Sequence, residues 1–238
     1  RLAAALLETL LNTIDANDSE TGAHVRRVAR YSLILADAAD LSPTEQRSVE
    51  RIALFHDIGK IHEALFDIIH VPARLSPAEC RAINTHPQKG ADVLAPVDAF
   101  YPDLRLGVLA HHERWDGTGY PCGLKGEEIP FAARIVSIAD TFDAVTHSRR
   151  YRAGGDSRKG AEVISSGCGT QFDPTLADLF LCPPVFACVK NAMRQQLASH
   201  RPEGERRAHR AKEAVAPDLE FRWRSRPRVS TRPPKPRD

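Results

Sequence analysis

The run His56-Asp57-Ile58-Gly59-Lys60 decides how this chain is read. A histidine and an aspartate stand side by side, with a lysine within one turn of them. Imidazole and carboxylate together suit a divalent ion such as Mn²⁺, Fe²⁺ or Zn²⁺. Asp57 has a pair of oxygens and is able to bridge two ions. Lys60 would lie beside them as a point charge suited to a phosphate. Alone the signal is weak, because a core histidine next to a capping aspartate is the commoner arrangement. The rest of the chain reverses that balance.

Upstream of the run, Ser42-Pro43-Thr44-Glu45 is a helix start. Serine caps, proline takes the first helical position and glutamate completes a capping box. The helix then carries Val49, Ile52, Ala53 and Phe55 inward and ends at His56 and Asp57, with Gly59 letting the chain turn out of it. A carboxylate is not favoured at a helix C-terminus; a metal would offset that cost. Before it, residues 2–16 place Leu7, Leu10, Leu11 and Ile14 on one stripe, and Asn17-Asp18-Ser19 interrupt the pattern. A second helix is predicted from about 20 to 39, with Val25, Val28, Ser32, Leu35 and Ala39 inward. Glu20 and His24 are four residues apart and share one of its faces.

Downstream, residues 61–74 are irregular, and Ser76-Pro77-Ala78-Glu79 repeats the capping arrangement. That helix is predicted to stop near Thr85, because His86 precedes Pro87 and is pushed out of the helical region. His86 is thus expected at a junction, free to swing toward a neighbouring site. Pro87 opens a short helix to 95. Residues 103–112 bring Leu104, Val108 and Ala110 to His111-His112-Glu113. Adjacent helical residues differ by about 100°, so these histidines are able to flank a cluster and bind different ions. Burying two imidazoles requires partners for both, which favours the ligand reading. The following Arg114-Trp115-Asp116-Gly117-Thr118-Gly119-Tyr120-Pro121 specifies a stiff loop, with aromatic rings able to stack on a base. In the helix predicted over 131–147, Ile135, Ile138, Ala139, Phe142 and Val145 point inward, and Asp140 beside them needs a partner. Arg149, Arg150 and Arg152 are suited to phosphate, or to a plain exposed helix end. Residues 157–166 are predicted helical, Asp173 caps a helix near 174–181, and Pro183-Pro184 breaks it.

With 238 residues, 42% apolar and 27% charged, the composition is that of a globular protein of one domain and a tail. No stretch of about 18 uncharged apolar residues exists, so no membrane-spanning helix is expected. Residues 2–11 carry Glu8 and no cleavage-like site, and are not read as a signal peptide. The chain begins at Arg1, and sequence is expected upstream of it. Five cysteines without a CxxC pair argue for a reducing compartment, the cytoplasm. The net charge of +2 hides an asymmetry: residues 201–238 hold 12 Lys+Arg against 6 Asp+Glu, which leaves the first 200 at −4. The arginine- and proline-rich tail is expected to be disordered from about 200. Nucleic acid is not an expected partner, except through that tail.

The residues singled out as ligands are Glu20, His24, His56, Asp57, His86, His111, His112 and Asp140, from five separate helices or helix ends. An all-α bundle is able to point them inward to one metal site in its core. With HDIGK at 56–60 and HHERWDGTGYP at 111–121, this pattern resembles the HD-GYP family of the HD metal-dependent phosphohydrolases. The likeness runs from about residue 8 to 182 and takes in TGAHVRRVA at 21–29, THPQKG at 85–90, IADTFDA at 138–144 and GTQFDP at 169–174. The domain division expected is a lead-in helix over 1–16, the HD-GYP catalytic domain over 17–182 and an extension over 183–238.

The resemblance implies an all-α HD-domain bundle and a cytoplasmic phosphodiesterase that turns cyclic di-GMP into pGpG or GMP. It implies two or three divalent ions, iron or manganese, on the residues named above. Glu20 matches the extra carboxylate of members with a third ion, which leans the expectation toward three. Asp57 would bridge, with a water or hydroxide between the ions as nucleophile. Lys60 matches the lysine that contacts the substrate phosphate, Arg149 a basic residue near the phosphates, and Gly119, Tyr120 and Pro121 the signature loop. Glu113 and Asp143 are candidates for orienting the ligands, or are plain helix caps. Implied partners are an upstream receiver or sensory domain, GGDEF-type proteins and a second copy in a homodimer. The chain departs from the family at Ile61-His62-Glu63, at His70-Val71-Pro72-Ala73 and at Arg150, where proline is expected. These departures bear on substrate affinity more than on the metal site. A catalytically weak sensor or docking module, and a hydrolase of another cyclic dinucleotide or of a nucleotide, are the competing readings.

Overall fold

The helices begin where their capping residues stand. The computed structural model describes residues 2–61, 76–147 and 156–199. Its α-helices are α1 (Leu2–Asn17), α2 (Ser19–Ala38), α3 (Pro43–Phe55), α4 (Pro77–Ile83), α5 (His86–Leu94), α6 (Pro102–Ala110), α7 (Phe131–Thr146), α8 (Ser157–Ser166), α9 (Pro174–Leu181) and α10 (Pro183–Ser199). Short 3₁₀ turns occupy Ile58–Ile61, Ala95–Val97 and Gly126–Glu128. There is no strand among the described residues, only one isolated bridge between Cys168 and Phe172. The all-α expectation holds.

Both capping boxes form. The Ser42 amide donates to Glu45 at 2.7 Å and the Ser76 amide to Glu79 at 2.6 Å, while each serine hydroxyl accepts the amide three residues on. Asp18 caps α2 by accepting from the Glu20 amide, so the break between α1 and α2 is narrower than 17–19. Asp173 caps α9 through the amides of Thr175 and Leu176.

Within the unit Arg1–Ala192, α2 is the central element and packs on α1, α3 and α7, while α3 also packs on α6 and α7. The apolar stripes expected from periodicity meet there: Val25, Val28, Leu35, Val49, Ile52, Phe55, Ile135, Ile138 and Phe142 are all buried. Phe142 stands edge-on to Tyr31 at 5.4 Å and to Phe180 at 5.4 Å. Gly160 of α8 faces the Phe142 ring so closely that a Cβ would come within 2.6 Å of it.

The structure differs from the expectation at three places. His86 is not in a swinging junction: it is the first residue of α5, buried, with Pro87 following it. Pro87 falls in the opening turn, where the amide it lacks has no helical partner to lose. Gly59 does not use left-handed backbone to leave α3, since it is absent from the positive-φ positions. It is small because the 3₁₀ turn presses on α5: a Cβ there would strike the His86 carbonyl oxygen, and would lie 2.6 Å from the Gly90 amide nitrogen. Pro183 and Pro184 end α9 but also open α10, as the first turn of a helix tolerates proline. Val189 and Ala192 of α10 are buried within the unit Arg1–Ala192. In the second unit, from Met193 on, the described residues are the last turns of α10.

The five cysteines are free. No single helix among the described residues is long and apolar enough to cross a membrane. The segment 62–75, with its departures from the family, and Arg149, Arg150 and Arg152 lie outside the described residues.

Replacing Gly59 by alanine forces the 3₁₀ turn away from α5. We expect a loss of about 1–3 kcal/mol, read as a fall in Tm of roughly 2–4 °C per kcal/mol for a chain of this size. An unchanged Tm would show that the two backbones are not in contact.

Candidate metal centre

Three helix ends and two helix interiors converge on one buried spot. His56 is the C-cap of α3 and Asp57 follows it into the 3₁₀ turn. His86 opens α5, His111 is the C-cap of α6 with His112 next to it, and His24 and Asp140 lie within α2 and α7. His24, His56, Asp57, His86 and His111 are buried, and the Asp140 side chain is 18% exposed.

The candidate ligand atoms form two trios. His24, His56 and Asp140 make one, and His86, His111 and His112 the other; within each, one atom per residue lies within 4.8 Å of the others. Asp57 stands between them. Its Oδ2 is 3.5 Å from His56 Nε2 and 3.8 Å from His24 Nε2, and its Oδ1 is 3.4 Å from His86 Nε2. One oxygen therefore faces each trio. Glu20, half-buried in the first turn of α2, belongs to neither trio.

The imidazoles are aimed by their far nitrogens. His56 Nδ1 meets the Ala53 carbonyl at 2.8 Å, His86 Nδ1 the Ile83 carbonyl at 2.8 Å and His111 Nδ1 the Val108 carbonyl at 2.6 Å. A carbonyl only accepts, so each Nδ1 carries the hydrogen and each Nε2 of the neutral ring presents a lone pair inward. His24 Nδ1 meets Asp143 Oδ2 at 2.6 Å instead. These tautomers follow from the hydrogen-bond network.

This arrangement fits metal ions. The buried Nε2 of His56 has no hydrogen-bond partner, and that of His24 faces the Asp140 carboxylate at 3.2 Å. His86 Nε2 and His111 Nε2 face each other at 3.1 Å, lone pair to lone pair. Burial drives the His86 pKa down to about 3, helped by Lys60. Burial likewise holds His111 well below the usual range, helped by the neighbouring His112, His56 and His86. His112 is brought to about 4, again mainly by burial. A proton is thus disfavoured between these nitrogens, and a cation between them satisfies both. Asp57 and Asp140 remain ionised. Burial alone would raise both carboxyls, but Lys60 and the histidines outweigh it at Asp57, and His24 and His56 outweigh it at Asp140.

Lys60 Nζ sits 2.7 Å from Asp57 Oδ1. The signature loop folds over the second trio. Tyr120 stacks on His112 with ring centroids 4.9 Å apart. Gly119 makes this approach feasible: a Cβ there would strike the Arg114 amide nitrogen and lie 2.6 Å from Glu113 Cα. Glu113, expected either to orient ligands or to cap a helix, does neither: its carboxylate accepts from the amides of Cys122, Gly123 and Leu124 and ties the loop down. A second brace joins the loop to the GTQFDP turn, where the Trp115 and Asp116 amides donate to the Gln171 and Thr170 carbonyls at 3.2 and 2.8 Å. No spacing along the chain signals that brace. Burial, with Asp57 and Asp140 nearby, raises the Tyr120 pKa, so the phenol stays protonated.

A family model described as an HD domain matches residues 8–176. A 3'3'-cGAMP-specific phosphodiesterase of Vibrio cholerae is 35% identical over 178 residues, which cover 74% of this chain and 34% of that protein. A cyclic di-GMP phosphodiesterase of Thermotoga maritima is 36% identical over 180 residues, covering 74% of this chain and 48% of that protein. The chain thus spans between about a third and a half of the length of these curated relatives. A solved HDG"Y"P protein of Bdellovibrio bacteriovorus superposes with a TM-score of 0.55 at 20% identity, over 72% of this chain and 51% of that one, a likeness of fold.

Glu113→Gln replaces an anionic triple acceptor with an amide whose nitrogen cannot accept. Losing such bonds is worth about 1–3 kcal/mol, so amide exchange at Cys122, Gly123 and Leu124 should speed up roughly tenfold or more. Unchanged protection there would remove Glu113 from the loop's support.

Proposed function

We infer the function of this chain from one premise: it belongs to the HD domain family, and its motifs are those of the HD-GYP branch. We propose that it is a metal-dependent phosphodiesterase acting on cyclic di-GMP and releasing pGpG or GMP. The observation that carries the proposal is Asp57 between two trios, one oxygen toward each.

In this reading His24, His56 and Asp140 would hold one divalent ion, His86, His111 and His112 a second, and Asp57 would reach both. Iron or manganese suits this imidazole and carboxylate set. Bound ions would lower the pKa of a water and polarise phosphodiester oxygens. The remaining work falls to the chain's own groups. Lys60, with its side chain 21% exposed, supplies positive charge to the phosphoryl oxygens. Tyr120 keeps its hydroxyl hydrogen and offers a donor at the rim, while its ring holds His112 in place. Arg149 joins Lys60 on the phosphates, on the strength of the motif alone. The free cysteines support a cytoplasmic location. A second substrate, 3'3'-cGAMP, enters because three relatives bear that specificity.

The test is metal analysis of protein purified without chelator, then incubation with Mn²⁺ or Fe²⁺ under reducing conditions and a panel of cyclic di-GMP, 3'3'-cGAMP, cyclic di-AMP and a nucleotide monoester. The expected result is conversion of cyclic di-GMP ahead of the others. Faster 3'3'-cGAMP cleavage would reassign the substrate, and bound metal without product from any of them would make the chain a sensor. His56→Ala and Asp57→Ala should abolish turnover and lower metal content; full activity in either would defeat the mechanism. Glu20→Ala should bind as many metal equivalents as the parent. Loss of one equivalent would add Glu20 to the centre as the ligand of a further ion.

A further inference from the structure

The ligand histidines are not aimed alike. His56, His86 and His111 lean on carbonyls three residues back, on their own stretch of backbone. Their orientation is as rigid as the backbone that carries them. His24 leans on the side chain of Asp143, 119 residues away on α7. Its orientation is only as fixed as that carboxylate.

Asp143 is fully buried and is held at four points. Arg27, one turn beyond His24 on α2, donates to Oδ1 from Nε at 2.7 Å and to Oδ2 from Nη2 at 2.9 Å. His147, the C-cap of α7 four residues beyond Asp143, sits with Nδ1 2.9 Å from Oδ1. With His24 Nδ1 on Oδ2 and His147 Nδ1 beside Oδ1, each oxygen has two nitrogen neighbours that hold the carboxylate in place. The His147 tautomer follows from its neighbours in the same way. The hydroxyl of the adjacent Thr146 donates to the Phe142 carbonyl at 2.7 Å, so it does not supply the hydrogen between itself and His147 Nδ1, and the hydrogen on Nδ1 goes to Asp143.

We propose that His147 and Arg27 are positioning residues that act through Asp143 to orient His24, and so set the affinity of the His24–His56–Asp140 ion without affecting the ion held by His86, His111 and His112. This rests on the metal-centre reading above but not on the identity of the substrate. Groups that orient a ligand in this way change metal affinity by about 10- to 100-fold when removed.

The test is Mn²⁺ titration of the metal-stripped full chain by calorimetry, with Tm recorded for each variant. In His147→Leu, one of the two binding steps should weaken by about tenfold or more, with the other unchanged. His147→Asn, whose side-chain amide presents a donor near the Nδ1 position, should restore that step. Arg27→Met should weaken the same step. The proposal is overturned if His147→Leu binds both ions as the parent does, if both steps weaken equally, or if His147→Asn fails to recover a step that His147→Leu has lost. If the parent binds two ions but cleaves no cyclic dinucleotide, the phosphodiesterase reading fails while this one stands on the titration.

Discussion

A carboxylate buried at the centre of a helical bundle must be compensated, and most of this molecule can be derived from how Asp57 is. An ionised group in a low-dielectric interior is unfavourable by several kcal/mol unless charges and hydrogen bonds surround it. Asp57 has Lys60 against it and three histidine Nε2 atoms within 4 Å. Those histidines come from α2, α3 and α5, so the requirement of one side chain draws three elements together. The same requirement shapes the backbone nearby. To bring His86 beside Asp57, the 3₁₀ turn and α5 approach until only glycine fits at position 59.

The centre combines rigid and adjustable parts. Three imidazoles are aimed by carbonyls of their own chain segments, an orientation that folding the helix ends brings with it. Tyr120 and His24 depend on groups outside their own turns: the Glu113 carboxylate and backbone carbonyls of the 169–174 turn secure the loop carrying Tyr120, and Asp143 with its partners secures His24. A site with both kinds of support can keep its outline while one ligand is tuned. This also separates the roles of two acidic residues that the sequence presents alike. Glu113 serves the loop, and Asp143 serves His24.

Sequence by itself determined the helices and their caps, because those depend on interactions within four residues. Ser42 with Glu45, Ser76 with Glu79, Asp18 and Asp173 all stand at helix starts as their types require. The inward stripes were legible for the same reason, since burial of Val25, Val28, Ile52 and Ile138 follows the helical period. The histidines and aspartates that converge could be singled out, because paired imidazoles and a mid-helix carboxylate beside an apolar stripe are costly to bury without partners. Tertiary structure alone decided the rest. Pro87 suggests a loose His86 before it, yet packing buries that histidine in the first turn of α5. Gly59 has the look of a helix stop, yet its size answers to a backbone more than twenty residues away. The division of the ligands into two trios, the place of Asp57 between them, and the hold of Arg27 and His147 on Asp143 all depend on contacts across helices. No period or spacing encodes those contacts, because they are fixed by how the helix faces pack and not by the chain that runs between them.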